Sequence, residues 1–475
     1  MTDTLWTSAD AAIATGGQNS VGWLASGISI DTRSLQPGDL FVALKAARDG
    51  HDFVEAAFKA GAAAALVSRE TAGGPTLLVD DVLPALEALG VAARARCSGT
   101  RTAVTGSVGK TSVKEMLAAI FRAAGPAHWP EKSFNNHWGV PLTLARMPQL
   151  TKRAVFEIGM STPGEIAPRS EMVRPHCSII TMIAGVHLEG LGTIENIAAE
   201  KADIFAGLEA GGVAILPADD RFLDYLKGRA IEACHDANCL TFGMSDSADA
   251  RVISYEPSGH VALAEIDVLG TRVKLRLNAS GSHWAINAAA SILAAVAASD
   301  VSATDAAEAL SDFAPPPGRG EVSDLELPGG GTAVLVDDSY NANPTSMTAA
   351  LEALAIRPAK RRLVALGEMG ELGTDADALH AGIAPAVEAS GASFAFLAGP
   401  GMAPLARALP GGMTQSHEEK ASDLLDLIKN TLQDGDVLLI KGSNASGMGP
   451  VAKALREWGA KTPNNMMDAP RMGAG

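Results

Sequence analysis

The sequence predicts an α/β protein of three domains: an N-terminal α/β unit, a central parallel sheet built around a glycine loop, and a C-terminal Rossmann-like unit. Three observations predict it. Short β-branched runs alternate with alanine-rich helical stretches along most of the chain, the pattern of parallel sheets covered by helices on both faces. At 475 residues the chain exceeds one ordinary core, and its length suggests about three domains. A proline run in FAPPPGRGEV (313–322) interrupts the alternation, because consecutive prolines neither continue a helix nor join a central strand.

The elements follow in order. In residues 1–98, DLFVAL (39–44) and AALVS (64–68) read as strands and DFVEAAFKAGA (52–62) as a helix. In 99–317, RTAVTG (101–106) is a strand that enters the glycine loop, with a helix from Thr111. Further strands are expected at RAVFEIG (153–159) and CSIITMIAG (177–185). In 318–460, TAVLVDD (332–338), RRLVALG (361–367), SFAFLAG (393–399) and DVLLIKG (436–442) alternate with helices as a second doubly wound unit. The last stretch, 461–475, lacks periodicity and reads as a disordered tail.

Composition narrows the function. Apolar residues make up 47% of the chain, which favours a folded, well-buried protein. A net charge of -16 argues against a nucleic-acid partner, which needs a basic face. No apolar run approaches the roughly 18 residues required to cross a bilayer, and MTDTLWTSAD has no secretion-signal pattern. Cys97, Cys177, Cys234 and Cys239 do not form a disulfide framework, so a reduced, cytoplasmic setting is expected. Cys234 and Cys239 could be half a metal site, but no second pair completes it.

The chemistry centres on AVTGSVGKTSVKEML (103–117), a shortened phosphate loop in which Val104 stands where a first glycine usually does. Gly106, Ser107, Val108, Gly109, Lys110, Thr111 and Ser112 would still offer backbone amides and a helix N-terminus to an anion. Lys110 would reach the outer phosphates and Thr111 a magnesium ion; the competing reading is an ordinary glycine-rich turn. Glu157, at the tip of a buried strand, is a candidate hard oxygen ligand or a salt-bridged edge residue. His187, just beyond the next strand, could reach the same crevice or be structural. Lys201 falls inside the apolar stripe of Ile194, Ile197, Ala198, Ile204, Phe205 and Leu208. A lysine there either snorkels out or is a desolvated, reactive amine. As a carbamate formed with carbon dioxide it would become a carboxylate suited to magnesium.

The motifs TGSVGKTS (105–112), FEIGMS (156–161), GVHLEGLGTIENIAAEKADIF (185–205), GSHWAINAAASI (281–292), PPPGRGE (315–321), DDSYNANPTSM (337–347), GEMGELG (367–373) and KGSN (441–444), in this order, resemble the Mur ligases, ATP-dependent amide-forming enzymes of peptidoglycan synthesis. DTRSLQPGDLFVAL (31–44) and DGHDF (49–53) extend the resemblance into the first domain, from about residue 29 to 455 in all. It implies that the short loop is the family's normal form. It further implies that ATP binds at Lys110 and Thr111 with one magnesium held also by Glu157, and that a second magnesium is held by His187 and Lys201, the latter as its carbamate. His283 and Asn287 would lie near the adenine, Arg319 at the phosphates, and Asp338 near the ribose, with Tyr340, Asn341 and Asn343 lining the cleft. Asp31, Thr32, Arg33 and His51 resemble the uridine-diphosphate end of a UDP-binding first domain, while Asn135 and Asn136 would face the sugar-peptide portion. DSYNANP and GEMGELG are most similar to the member that adds D-alanyl-D-alanine to UDP-N-acetylmuramoyl-tripeptide. Asn444 departs from the family, which often has arginine there. The rival readings are a sister ligase (the diamino-acid-adding member or folylpolyglutamate synthase) and a nucleotide switch that makes no bond. Nothing in the sequence demands more than a monomer.

Overall fold

The computed structural model describes residues 4–186, 188–258, 261–279, 281–311 and 313–460; His187 and the 461–475 tail lie outside them. Among the described residues, three large sheets follow one another along the chain. The first runs, edge to edge, through Gln18–Asn19, Thr76–Leu78, Ala64–Val67, Asp39–Val42 and Gly27–Ser29. It is parallel except at its first pair. The second places Thr100–Thr105 between Arg153–Glu157 and Cys177–Ile180, parallel to both. The third is parallel from Thr332–Asp338 through Asp436–Lys441, Arg361–Gly367 and Ala392–Ala398 to Thr414–Glu418, with Glu321–Glu326 added antiparallel at one edge.

The expected strands at 332–338 and 361–367 form with those limits. Elsewhere the structure departs from expectation for definable reasons. The stretch read as one helix over 52–62 begins as a 3₁₀ turn, Gly50–Phe53, and continues as a shorter α-helix, Val54–Lys59, capped at its entry by the Asp49 side chain. The strand expected over 177–185 ends at Ile180. From there the chain turns under the glycine loop: Thr181 donates its hydroxyl to Val108 O, and Ser107 N donates to Met182 O at 2.8 Å. The central sheet is also less uniformly parallel than its sequence suggests. Ala250–Ser258, Val261–Val268 and Thr271–Leu277 form an antiparallel extension. Along Val261–Val268 the residues alternate buried and less buried, as expected for strands covered on one face only.

Alanine does much of the filling. The helix Ser282–Ser299 buries Ala285, Ala288, Ala289, Ala290, Ala294 and Ala295 against the sheet and the helix Lys110–Ala123. Small side chains let that helix approach the loop closely.

The first and central units share a core. Leu142 and Ala145, on the helix Gly139–Ala145, belong to the same apolar cluster as Leu40, Leu66, Leu86 and Leu89. Trp6 Nε1 donates to Ala145 O at 2.9 Å and Arg146 Nε donates to Ile28 O at 2.7 Å across the same junction. Leu142 is fully buried there. Leu142→Ala should therefore lower unfolding stability by about 2–5 kcal/mol, read from urea denaturation, and a loss below about 1 kcal/mol would refute the shared core.

Candidate active site

The glycine loop connects a buried strand to a helix N-terminus, and two of its glycines have conformations that side chains avoid: Gly106 with φ 145° and Gly109 with φ 89°. A Cβ on Gly106 would collide with the Thr181 hydroxyl, and one on Gly109 would press on the Asn287 amide. No side chain caps the helix at Gly109, so its first amides face the cleft at the positive end of the helix. Ser107 ties the loop to its neighbour by donating Oγ–H to Ala184 O at 2.9 Å and accepting from Ala184 N at 2.9 Å. Lys110 arches back over the loop, its Nζ 2.6 Å from Gly106 O. Burial lowers its pKa, with Arg319 acting in the same sense and Glu157 and Glu371 opposing.

Glu157 ends its strand beside this loop and is only 1% exposed. Thr111 Oγ1 donates to its Oε2 at 3.0 Å, and Asn135 Nδ2 to its Oε1 at 2.8 Å. A buried carboxylate surrounded by neutral donors, touching the loop threonine, has the hard oxygen chemistry that magnesium prefers. Among the described residues no group of three or more His, Cys, Asp or Glu side chains gathers into a metal cluster. The residues that fit a cation here are a hydroxyl and one carboxylate; a buried amine lies close enough to Lys110 to feel its charge. Cys234 is no part of such a set: its thiol donates to Asp236 and to Glu209 O.

That amine is Lys201. It lies on the helix Ile194–Ala202 with 1% exposure, so of the two sequence readings it is the desolvated one, not the one that snorkels out. Burial pushes its pKa well below the usual amine range; Lys110 adds to the shift and Glu200 opposes it. Glu200 does not act as its partner: its carboxylate accepts from Gly164 N, Glu165 N and Ile166 N at 2.7, 2.8 and 3.0 Å, at the start of the helix Ile166–Val173.

Across the cleft stands the C-terminal unit. The cleft has a volume of about 480 Å³ and is lined by Ser107–Ser112, Asn135, Asn136, Glu157, His283, Asn287, Arg319, Asp338 and Asn341 together. Arg319 stacks its guanidinium 3.9 Å from the Tyr340 ring centroid. Asp338, at a strand end, pairs with buried Lys441 on the adjacent strand end at 2.6 Å. His283 is held to a pKa of about 4 by burial, with Asp338 opposing and Lys441 assisting. Asn343 spends its side chain on the capping box of the helix Pro344–Ala355. Lys441, Trp284, Thr181 and Glu165 also line the cleft or its floor and carried no distinctive sequence signal, although the lysine opens the KGSN motif.

The first-domain candidates do not line this cleft. They occur where the parallel strands of the first sheet end, the usual ligand crevice of such sheets. Arg33 binds both carboxylate oxygens of Asp31, which with smaller help from Lys132 holds that carboxyl down to about 2. His51 Nδ1 is 2.7 Å from Asp49, and its Nε2 accepts from Ser68 N at 2.9 Å. Thr32 is half-buried between Asp31 and Arg33. Asn136 accepts from Gly139 N at 2.9 Å and so starts the helix that joins the two units. His187, expected at the same site as Lys201, is outside the described residues.

Fold and cleft define an α/β phosphate-loop enzyme whose site is shared between a central sheet and a C-terminal Rossmann-like unit. Residues 104–295 match the Mur ligase middle domain, 318–444 the Mur ligase glutamate ligase domain, and 25–120 the Mur ligase family catalytic domain. The chain belongs to the Mur ligase family. It is 35% identical over 438 residues to the UDP-N-acetylmuramoyl-tripeptide–D-alanyl-D-alanine ligase of Escherichia coli, covering 91% of this chain and 94% of that one. The fold superposes on a crystal structure of MurF from Acinetobacter baumannii with a TM-score of 0.83 at 28% identity, covering 95% and 99% of the two chains. The MurF ligase of Thermotoga maritima, solved with ADP, superposes with a TM-score of 0.76 at 24% identity over 92% and 98%.

Gly106→Ala should cost about 1–3 kcal/mol in strain at the loop and weaken nucleotide binding by tenfold or more. Titration calorimetry with an ATP analogue checks this, and unaltered affinity would show that the loop tolerates a side chain.

Proposed function

We propose that this protein is the Mur ligase that joins D-alanyl-D-alanine to the terminal carboxylate of UDP-N-acetylmuramoyl-tripeptide, with ATP as the energy source. Full-length similarity to ligases of that activity supports the substrates. The observation that carries the chemistry is the cleft itself. A phosphate loop, its threonine bonded to a buried glutamate, faces an arginine and an aspartate of the next domain.

In this reading the peptide carboxylate attacks the γ-phosphate of ATP, giving an acyl phosphate and ADP. The amine of D-alanyl-D-alanine then attacks the acyl carbon and expels phosphate. Both steps require positioning and charge neutralisation more than covalent help. Lys110 and Arg319 supply positive charge at the phosphates, the amides of 106–111 hold them, and Asp338 orients the ribose beside His283 and Asn287. Thr111 and Glu157 would hold one magnesium ion and Lys201, as its carbamate, with His187 a second; bound metal would neutralise phosphate charge. The C-terminal unit excludes water while the acyl phosphate exists. Asp31–Arg33 and His51 receive the uridine-diphosphate end, and Asn135 and Asn136 mark the path of the sugar-peptide between the two sites.

The purified protein should release phosphate from ATP only when both UDP-tripeptide and D-alanyl-D-alanine are present. Dependence on a free diamino acid or on folate would assign a sister ligase instead, and hydrolysis indifferent to any acceptor would assign a switch. Lys201→Ala should lose activity by about 100-fold or more, and formate or acetate should restore part of it. An unmodified Lys201 in the purified protein by mass spectrometry under carbon dioxide, with no rescue, would remove the carbamate from the mechanism.

A further inference from the structure

Lys114 is a buried cation that the chemistry above does not use. It lies one turn beyond Lys110 on the helix that follows the glycine loop, and its exposure is 0%. A lysine in that position usually turns to solvent. Here its Nζ donates to Pro130 O at 3.1 Å and pairs with the neighbouring Glu115 carboxylate. Pro130 begins the segment that crosses in front of the glycine loop. Three residues on, Ser133 faces Glu157 Oε1 at 3.4 Å. Asn135 donates to that same oxygen at 2.8 Å and to Ser133 Oγ at 3.1 Å, while its carbonyl receives Gly159 N at 2.9 Å. The space leaves no slack, since a Cβ on Gly159 would press on the Asn135 amide.

We infer that Lys114 is a positioning residue: by anchoring Pro130 to the loop helix it fixes the 130–136 segment, so that Ser133 and Asn135 aim the Glu157 carboxylate at the cation accompanying the nucleotide. The inference rests on the proposed nucleotide–metal reading of the cleft. It adds Lys114, which does not line the cleft. Thr111 fixes one carboxylate oxygen and Asn135 the other, so the orientation of Glu157 depends on how the helix and the segment are held relative to each other. Lys114 spans them by its hydrogen bond to Pro130 O.

The test measures Mn²⁺ affinity directly, by electron paramagnetic resonance with a non-hydrolysable ATP analogue, for the intact protein and for Lys114→Met, Asn135→Ala and the double variant. Each single variant should weaken Mn²⁺ binding about tenfold, and the double variant should be no worse than the more affected single one, because both act on one carboxylate. Should Lys114→Met fail to fold, Lys114→Arg, which keeps the charge but changes the reach to Pro130 O, takes its place, and a tenfold loss with unchanged thermal unfolding supports the positioning role. Wild-type affinity in the variants, or losses that multiply, would overturn the inference while leaving the site reading intact. Absence of nucleotide-dependent Mn²⁺ binding by the unaltered protein would overturn that reading and, with it, this one.

Discussion

The site depends on the hydrogen bond between Thr111, on the loop helix, and Glu157, at the end of the neighbouring parallel strand. It exists because the strand that feeds the glycine loop lies directly beside the strand that Glu157 ends, in register from Thr100 against Arg153 to Val104 against Glu157. The loop helix can bring its threonine to the carboxylate only if Gly106 lets the chain turn tightly past Thr181. Burying a carboxylate is unfavourable without donors, and the structure provides them from the helix and from the segment at 133–135. The tight turn of the glycine loop and the placement of the buried carboxylate are therefore one construction.

The second half of the site has a different physical basis. Lys110, Arg319 and Lys441 line the cleft with basic side chains in a chain whose overall charge is -16. Such a contrast attracts a polyphosphate to one place and repels it elsewhere. Lys201 lies outside that lining at 1% exposure, with the adjacent Glu200 committed to backbone amides. An amine in that setting favours its neutral form.

Much of this was legible in the sequence because the informative residues break a pattern. Lys201 interrupts an apolar stripe, Glu157 ends an apolar strand, and the proline run separates two alternating series; each is a local conflict with an otherwise regular period. The antiparallel extension at 250–277 was missed because its alternating strands do not resemble the continuous apolar runs of a buried parallel sheet. Lys114 was invisible for the opposite reason. A lysine next to a glutamate on a helix looks like an ordinary solvated pair, and only the packing of Pro130 over it removes the water. The same limit applies to Asn135, whose amide is committed to Glu157 by a loop whose path no periodicity encodes.

The core that the first and central units hold in common determines how this enzyme can breathe. Parting them would wet Leu142, Ala145 and the Trp6 indole in one stroke, whereas the C-terminal unit keeps its apolar clusters wholly within itself. The molecule is thus lopsided: opening it at the C-terminal unit leaves these apolar clusters dry, whereas opening it between the first two units does not.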